Sequence, residues 1–161
     1  MNVQYARPEM LAFMLKHGHY YDACLLFFPQ HSLPSLSLPS PHVSTAPSSS
    51  PQRADPLATD YGTIDDLCDL CIGYGCMVVL QDVISERIAS AHLEDATVSQ
   101  YISAALTRIC NYCETHRHFN YLYKFLVIKG DHVAAGLCCI QLFMNSCSQD
   151  EAIKHLEHAK V

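Results

Sequence analysis

Two features of the sequence predict an all-α protein. All eight prolines lie at or before position 56, and the apolar residues beyond that point recur at spacings of three and four. A third observation agrees with them: no stretch alternates apolar and polar residues with period two, so no strand is expected. The architecture these features imply is an irregular α-solenoid of antiparallel helix pairs, tetratricopeptide-like, interrupted by one Pro/Ser-rich loop.

The elements follow in order. Pro8 suits the first turn of a helix, and Met10, Leu11, Met14 and Leu15 share one face before Gly18 closes it. Tyr20, Ala23, Cys24, Phe27 and Phe28 carry the same spacing up to Pro29, so residues 1–28 are read as a helical hairpin. Seven prolines and eight serines then occupy 15 of the 28 positions from Pro29 to Pro56, with Arg53 and Asp55 as the charges. Such a segment buries too little apolar surface to offset its ordering entropy, and residues 29–59 are expected to be a disordered loop. Within it, Ser40 and Ser50, each followed by proline, are candidate phosphorylation sites, and Leu33, Leu36 and Leu38 are read as part of the loop in preference to a short docking motif.

Residues 60–161 are expected to continue the solenoid begun by 1–28. Ile64, Leu67, Cys68 and Cys71 form a stripe that ends in the turn Gly73-Tyr74-Gly75, and Met77, Leu80, Val83, Ile84, Ile88 and Ala91 form the next. Val98, Tyr101, Ile102, Ala105, Leu106, Ile109, Cys110 and Cys113 make the cleanest helical face in the chain. A helix over 119–129 stops at Gly130, Asp131 caps another that runs to about Met144, and Ser148 with Glu151 forms a capping box for a last amphipathic helix. A weak repeat links two of the corners. Gly18, Tyr20 and Ala23 share their spacing with Gly130, His132 and Ala135: a glycine for the turn and a small residue where the second helix meets the first. The last helix reaches Val161 with no cap and no cover for its apolar side, which leads us to expect a slice of a longer solenoid.

Composition narrows the function. The 161 residues carry a net charge of −6, without the basic stripe a nucleic-acid binder needs. The uncharged run 132–149 is broken by Gln141, Asn145 and serines, so a soluble or peripheral protein is expected. Nine cysteines, an odd number, come without a secretory signal or glycosylation sequon, which points to a reducing compartment.

The pairs Cys68-x-x-Cys71 and Cys110-x-x-Cys113 offer four thiolates, the ligand set of a structural zinc, and a small zinc-stapled helical domain is the alternative reading. Both pairs nevertheless fall on helical core stripes, where a spacing of three is one face of a helix and free cysteine packs as a small hydrophobe. Cys24, Cys138, Cys139 and Cys147 sit in similar apolar contexts without pairing. The preferred reading therefore has no metal site and no cofactor. His17 and His19 around Gly18, and His116 and His118 around Arg117, are read as helix-terminal residues that meet free carbonyls, and His155 and His158 as a solvated face.

No catalytic set assembles: the sequence lacks Gly-x-Ser-x-Gly, a phosphate-binding Gly-x4-Gly-Lys-Ser/Thr and His-Glu-x-x-His, and nothing singles out a Cys–His nucleophile pair. Charge is uneven. Residues 60–95 hold eight acids and one base, an acidic rim read as a solvated face or a means of steering a basic partner. The run Phe119, Tyr121, Tyr123, Phe125 is read as a helix touching both neighbours rather than a base-stacking platform.

Three stretches, DYGTIDDLCDLC at 60–71, CETHRHFNYLYKF at 113–125 and KGDHVAAGLCCIQLFM at 129–144, resemble the spastizin (FYVE-CENT) family of large FYVE-domain zinc finger proteins, its plant-type members in particular. The resemblance covers nearly the whole chain and corresponds to part of the family's helical repeat region. It implies a non-catalytic scaffold, cytoplasmic and peripheral to endosomes and lysosomes, that works in vesicle trafficking, autophagy and cytokinesis. It also implies a spatacsin-like partner and an adaptor-protein complex. The family's lipid-reading finger uses an Arg-His-His-Cys-type motif that this sequence lacks, so phosphoinositide binding and the finger's zinc are not carried onto any residue here.

Overall fold

The computed structural model describes residues 7–28, 55–91, 96–146 and 148–158. They form eight helices: α1 (Arg7–Lys16), α2 (Tyr20–Leu25), α3 (Ile64–Gly73), α4 (Met77–Ala91), α5 (Ala96–Thr115), α6 (Phe119–Lys129), α7 (His132–Asn145) and α8 (Gln149–His158). Among the described residues there is no strand; Thr59 and Gly62 form an isolated bridge. The described residues are therefore all-α in class, as the period of the apolar residues leads one to expect.

Four of the corners between these helices share one geometry. Gly18, Gly75, Arg117 and Gly130 each take a positive φ, between 59° and 81°. At each, the residue after the turn sends its N–H back five positions: His19 to Met14, Cys76 to Cys71, His118 to Cys113, Asp131 to Leu126, with N···O distances of 2.8–2.9 Å. The turning residue itself bonds three positions back, to Leu15, Ile72, Glu114 and Val127. This pair of bonds satisfies the last carbonyls of a helix while reversing the chain. His19, His118 and Asp131 then adopt nearly equal angles, φ −81° to −87° and ψ 51° to 73°, as the next helix begins.

Side chains keep step with the backbone. Five positions after each turning residue stand Ala23, Leu80, Leu122 and Ala135, and nine after stand Phe27, Ile84, Leu126 and Cys139, all buried. The corner at Gly130 was legible because glycine is the residue that takes the left-handed conformation without a Cβ clash. The corner at Arg117 was not, because a charged, branched-chain-free side chain stands where glycine is expected, and its φ of 59° carries strain.

Substantial packing joins helices one or two places apart in the chain: α1 with α2, α2 with α4, α3 with α4 and α5, α4 with α5 and α6, α5 with α6, α6 with α7, and α7 with α8. One continuous core runs through them from Leu11 to Cys138, with Phe27, Phe28 and Phe125 among its largest fully buried side chains. The expected helix over 20–28 stops earlier, at Leu25. Phe27 and Phe28 donate to Cys24 and Leu25 three positions back, so a tighter turn carries both rings into the core.

Of the segment 29–59, residues 55–59 are described, and they form a turn. The Asp55 carboxylate accepts from Leu57 N at 3.0 Å, and Leu57 packs on the core. The Tyr101 hydroxyl donates to Phe27 O at 2.9 Å and lies 3.5 Å from Leu57 O, so the chain leaves and returns at one side chain. Residues 59–62 then deliver Thr63 to the start of α3, where Thr63 and Asp66 complete a capping box that the sequence reading had not noted.

The corner geometry makes opposite demands at two positions. Arg117→Gly is expected to raise stability by about 0.5–1 kcal/mol by removing left-handed strain, whereas Gly130→Ala is expected to lower it by about 1–2 kcal/mol. Urea denaturation of the two variants checks both signs.

Candidate functional site

α7 has the composition of a buried helix and the surroundings of a surface one. Its fourteen residues, HVAAGLCCIQLFMN, contain no Asp, Glu, Lys or Arg. A helix that is apolar all round is expected to be covered on every side. Here α6 and α8 cover Ala135, Cys138 and Cys139. Val133, Leu137, Ile140 and Met144 are left 79, 61, 47 and 76% exposed, at spacings of four, three and four that place them in one line. The line borders an open groove of about 860 Å³ between α5, α6 and α7, where Leu122, Leu126, Leu137, Cys138 and Met144 form apolar walls and Glu114, Lys129 and Asp131 are polar neighbours. Asp131 fixes the start of α7 by accepting from Ala134 N at 3.1 Å. Such an arrangement leaves a contiguous apolar strip of α7 exposed at the surface.

The sequence had exposed this helix only as an uncharged run. What it missed was which third of the helix stays uncovered, since that depends on where α6 and α8 lie.

The eight described cysteines, Cys24, Cys68, Cys71, Cys76, Cys110, Cys113, Cys138 and Cys139, are all buried and free. Cys147 lies outside the described residues, as do Ser40 and Ser50. The four sulfurs weighed as zinc ligands do not converge. Cys71 faces Cys24, with 3.9 Å between the sulfurs, and interacts with Cys76. Cys68 neighbours Cys113, and Cys110 stands nearer the charges of Lys129, Asp131 and Glu114. Among the described residues no group of three or more His, Cys, Asp or Glu is disposed to hold a metal ion. Burial pushes the Cys113 thiol up to about 12 and the Cys110 and Cys138 thiols up to about 11; Cys68 is raised by the same cause. Protonated thiols of this kind are core residues rather than nucleophiles.

Both expected histidine pairs are placed differently from the sequence reading. The carbonyls at the ends of α1 and α5 are met by main-chain N–H groups of the corners, so the imidazoles do not cap them. His17 and His116 lie instead against the rings four positions back, Phe13 and Tyr112, with centroids 4.2 and 4.3 Å away. His19 and His118 stand at the N-caps of α2 and α6 without a side-chain cap bond.

Three acids of the stretch join helices. Asp65 forms a bidentate pair with Arg108, at 2.8 and 2.7 Å, and one turn further along both helices Asp69 accepts from the Tyr112 hydroxyl. This two-rung ladder fixes the register of α3 on α5. Glu86 accepts from Tyr21, tying α4 to α2, and Asp66 caps α3. In the aromatic run Phe125 is fully buried, and Phe119, Tyr121 and Tyr123 are half-buried against the core, so no stacking platform is presented.

No family model, curated protein or solved structure matches this chain. No described helix is long and apolar enough to cross a membrane.

The Asp65–Arg108 rung has a defined pH signature. The guanidinium holds the Asp65 carboxyl below its ordinary 3.8, so its stabilisation is present above that value and is lost as pH falls through the lower folded one. With both side chains well exposed, Arg108→Ala is expected to cost less than about 1 kcal/mol near pH 7. The difference between wild type and variant in thermal melts should close as pH falls through the lowered Asp65 value.

Proposed function

We propose that this chain is an irregular α-solenoid whose function is to bind other proteins, with no chemistry of its own. The observation that carries the reading is the exposed line Val133, Leu137, Ile140 and Met144 on a helix without charge. Substantial packing between helices one or two places apart supports the solenoid, because that pattern stacks helix pairs in chain order. The repeated corner supports it further, since one backbone geometry recurs at Gly18, Gly75, Arg117 and Gly130. Burial raises the thiols of Cys68, Cys110, Cys113 and Cys138, which supports reading these four as core residues.

The resemblance of 60–71, 113–125 and 129–144 to the spastizin family gives the proposal its setting: a trafficking scaffold peripheral to endosomes and lysosomes, with a spatacsin-like protein as partner. Two of those three stretches include the α3 face of the ladder and nearly all of α7, the elements that carry the register and the exposed line.

Co-expression with a spatacsin-type protein followed by size-exclusion chromatography tests the proposal. Wild type is expected to co-elute with the partner. The double variant V133D/M144D is expected to lose at least ten-fold in affinity while keeping its helical circular dichroism and melting temperature, because both side chains lie on the surface. Failure of the wild type to bind overturns the partner, and unchanged binding by V133D/M144D overturns the face.

A further inference from the structure

Three thiols meet where α2, α3 and the corner before α4 converge. Cys24, on α2, and Cys71, on α3, are both fully buried, with their sulfurs 3.9 Å apart across 47 positions of sequence. Cys76 begins the turn into α4 and sends its N–H to Cys71 O at 2.8 Å, so the corner itself pins Cys76 beside Cys71. It is 3% exposed, the most open of the three. Elsewhere in the core, Cys138 donates to Phe119 O at 3.3 Å, and Cys68 neighbours Cys113.

We propose that Cys24, Cys71 and Cys76 form a redox-active thiol relay, with Cys76 the residue that meets a peroxide and a Cys24–Cys71 disulfide the product. Cys76 Sγ attacks the peroxide, an S–O bond forms as the O–O bond breaks, and one water leaves. Cys71 Sγ then displaces the sulfenyl oxygen as a second water, forming Cys71–Cys76. Cys24 Sγ attacks Cys71, the new S–S bond replaces the old one, and Cys76 returns as a thiol. In total two thiols are oxidised, one peroxide is reduced to two waters, and both thiol protons end in those waters.

The electrostatics fit the assigned order. The hydrogen bond from Cys71 lowers the Cys76 thiol from its ordinary value, favouring thiolate at the residue that reacts first. The contacts with Cys24 and Cys76, together with burial, raise the Cys71 thiol and keep it protonated. The corner supplies proximity for the first exchange, and the 3.9 Å contact supplies it for the second. The product ties α2 to α3 directly, across the segment between them, where the reduced protein relies on packing and on the Tyr101 hydrogen bonds.

The test is titration of the reduced, full-length protein with hydrogen peroxide, followed by acid quench, alkylation and peptide mapping by mass spectrometry. A loss of about 2 Da, a single linked pair joining the peptides of Cys24 and Cys71, and reversal by dithiothreitol are the expected results. Cys76→Ser is expected to slow the reaction at least ten-fold and to yield the same linked pair. A folded protein that gives no bridge, or a bridge between other cysteines such as Cys68 and Cys113, overturns the relay. An unchanged rate in Cys76→Ser overturns it as well. The mapping on wild type stands whether or not a Cys24 or Cys71 variant folds.

Discussion

A residue with positive φ, followed by one whose N–H reaches back five positions, turns the chain at Gly18, Gly75, Arg117 and Gly130, and the rest of the structure depends on that corner. It meets two requirements with one set of bonds. A helix must satisfy its last carbonyls, and a bundle must reverse direction in few residues. Because the geometry is the same each time, the residues five and nine positions after each turning residue are buried: Ala23, Leu80, Leu122, Ala135, Phe27, Ile84, Leu126 and Cys139. α6 takes part in two corners, as second helix at Arg117 and first helix at Gly130. Leu126 therefore serves both as a buried residue of one corner and as the carbonyl acceptor of the next.

Polar groups refine what the corners set. The rungs Asp65–Arg108 and Asp69–Tyr112 lie one turn apart on α3 and α5, so a slip of either helix breaks both. Their energetic weight is small at an exposed surface; their effect is on register. Tyr101 has a similar office at the other end of α5, where its hydroxyl meets the carbonyl of Phe27 and lies beside that of Leu57. A chain with a long Pro/Ser-rich excursion between Phe28 and Asp55 thus closes it at a single point, and α1–α2 stay part of the same core as α3–α8.

The cysteines illustrate how packing changes the meaning of a motif. Spacing of three at 68–71 and 110–113 suggests a ligand pair when read along the chain, yet on a helix it places both sulfurs on one buried face. Their partners come from other helices: Cys24 for Cys71, and Cys113 for Cys68. The close approach that matters chemically joins positions 47 apart, and no local pattern announces it. A similar argument applies to α7. Its lack of charge is visible in the sequence, but whether the uncharged face is core or surface is decided by its neighbours.

The sequence by itself determined the helices. The spacing of apolar residues, the absence of proline beyond position 56, the glycines at 18, 75 and 130, and the caps at Asp131 and Ser148 act over one or two turns, so they are readable from a short window. It also determined the outer limits of α3, α4 and α6 almost to the residue. Tertiary structure decided the rest. Arg117 takes a conformation meant for glycine because helices on both sides hold it there, and the ends of α2 yield to the burial of Phe27 and Phe28. Asp65, Asp69 and Glu86 became fasteners because Arg108, Tyr112 and Tyr21 came within reach. The exposed line on α7 exists because α6 and α8 cover the other sides of that helix and leave this one. These outcomes depend on distances between residues far apart in the chain, which periodicity does not encode.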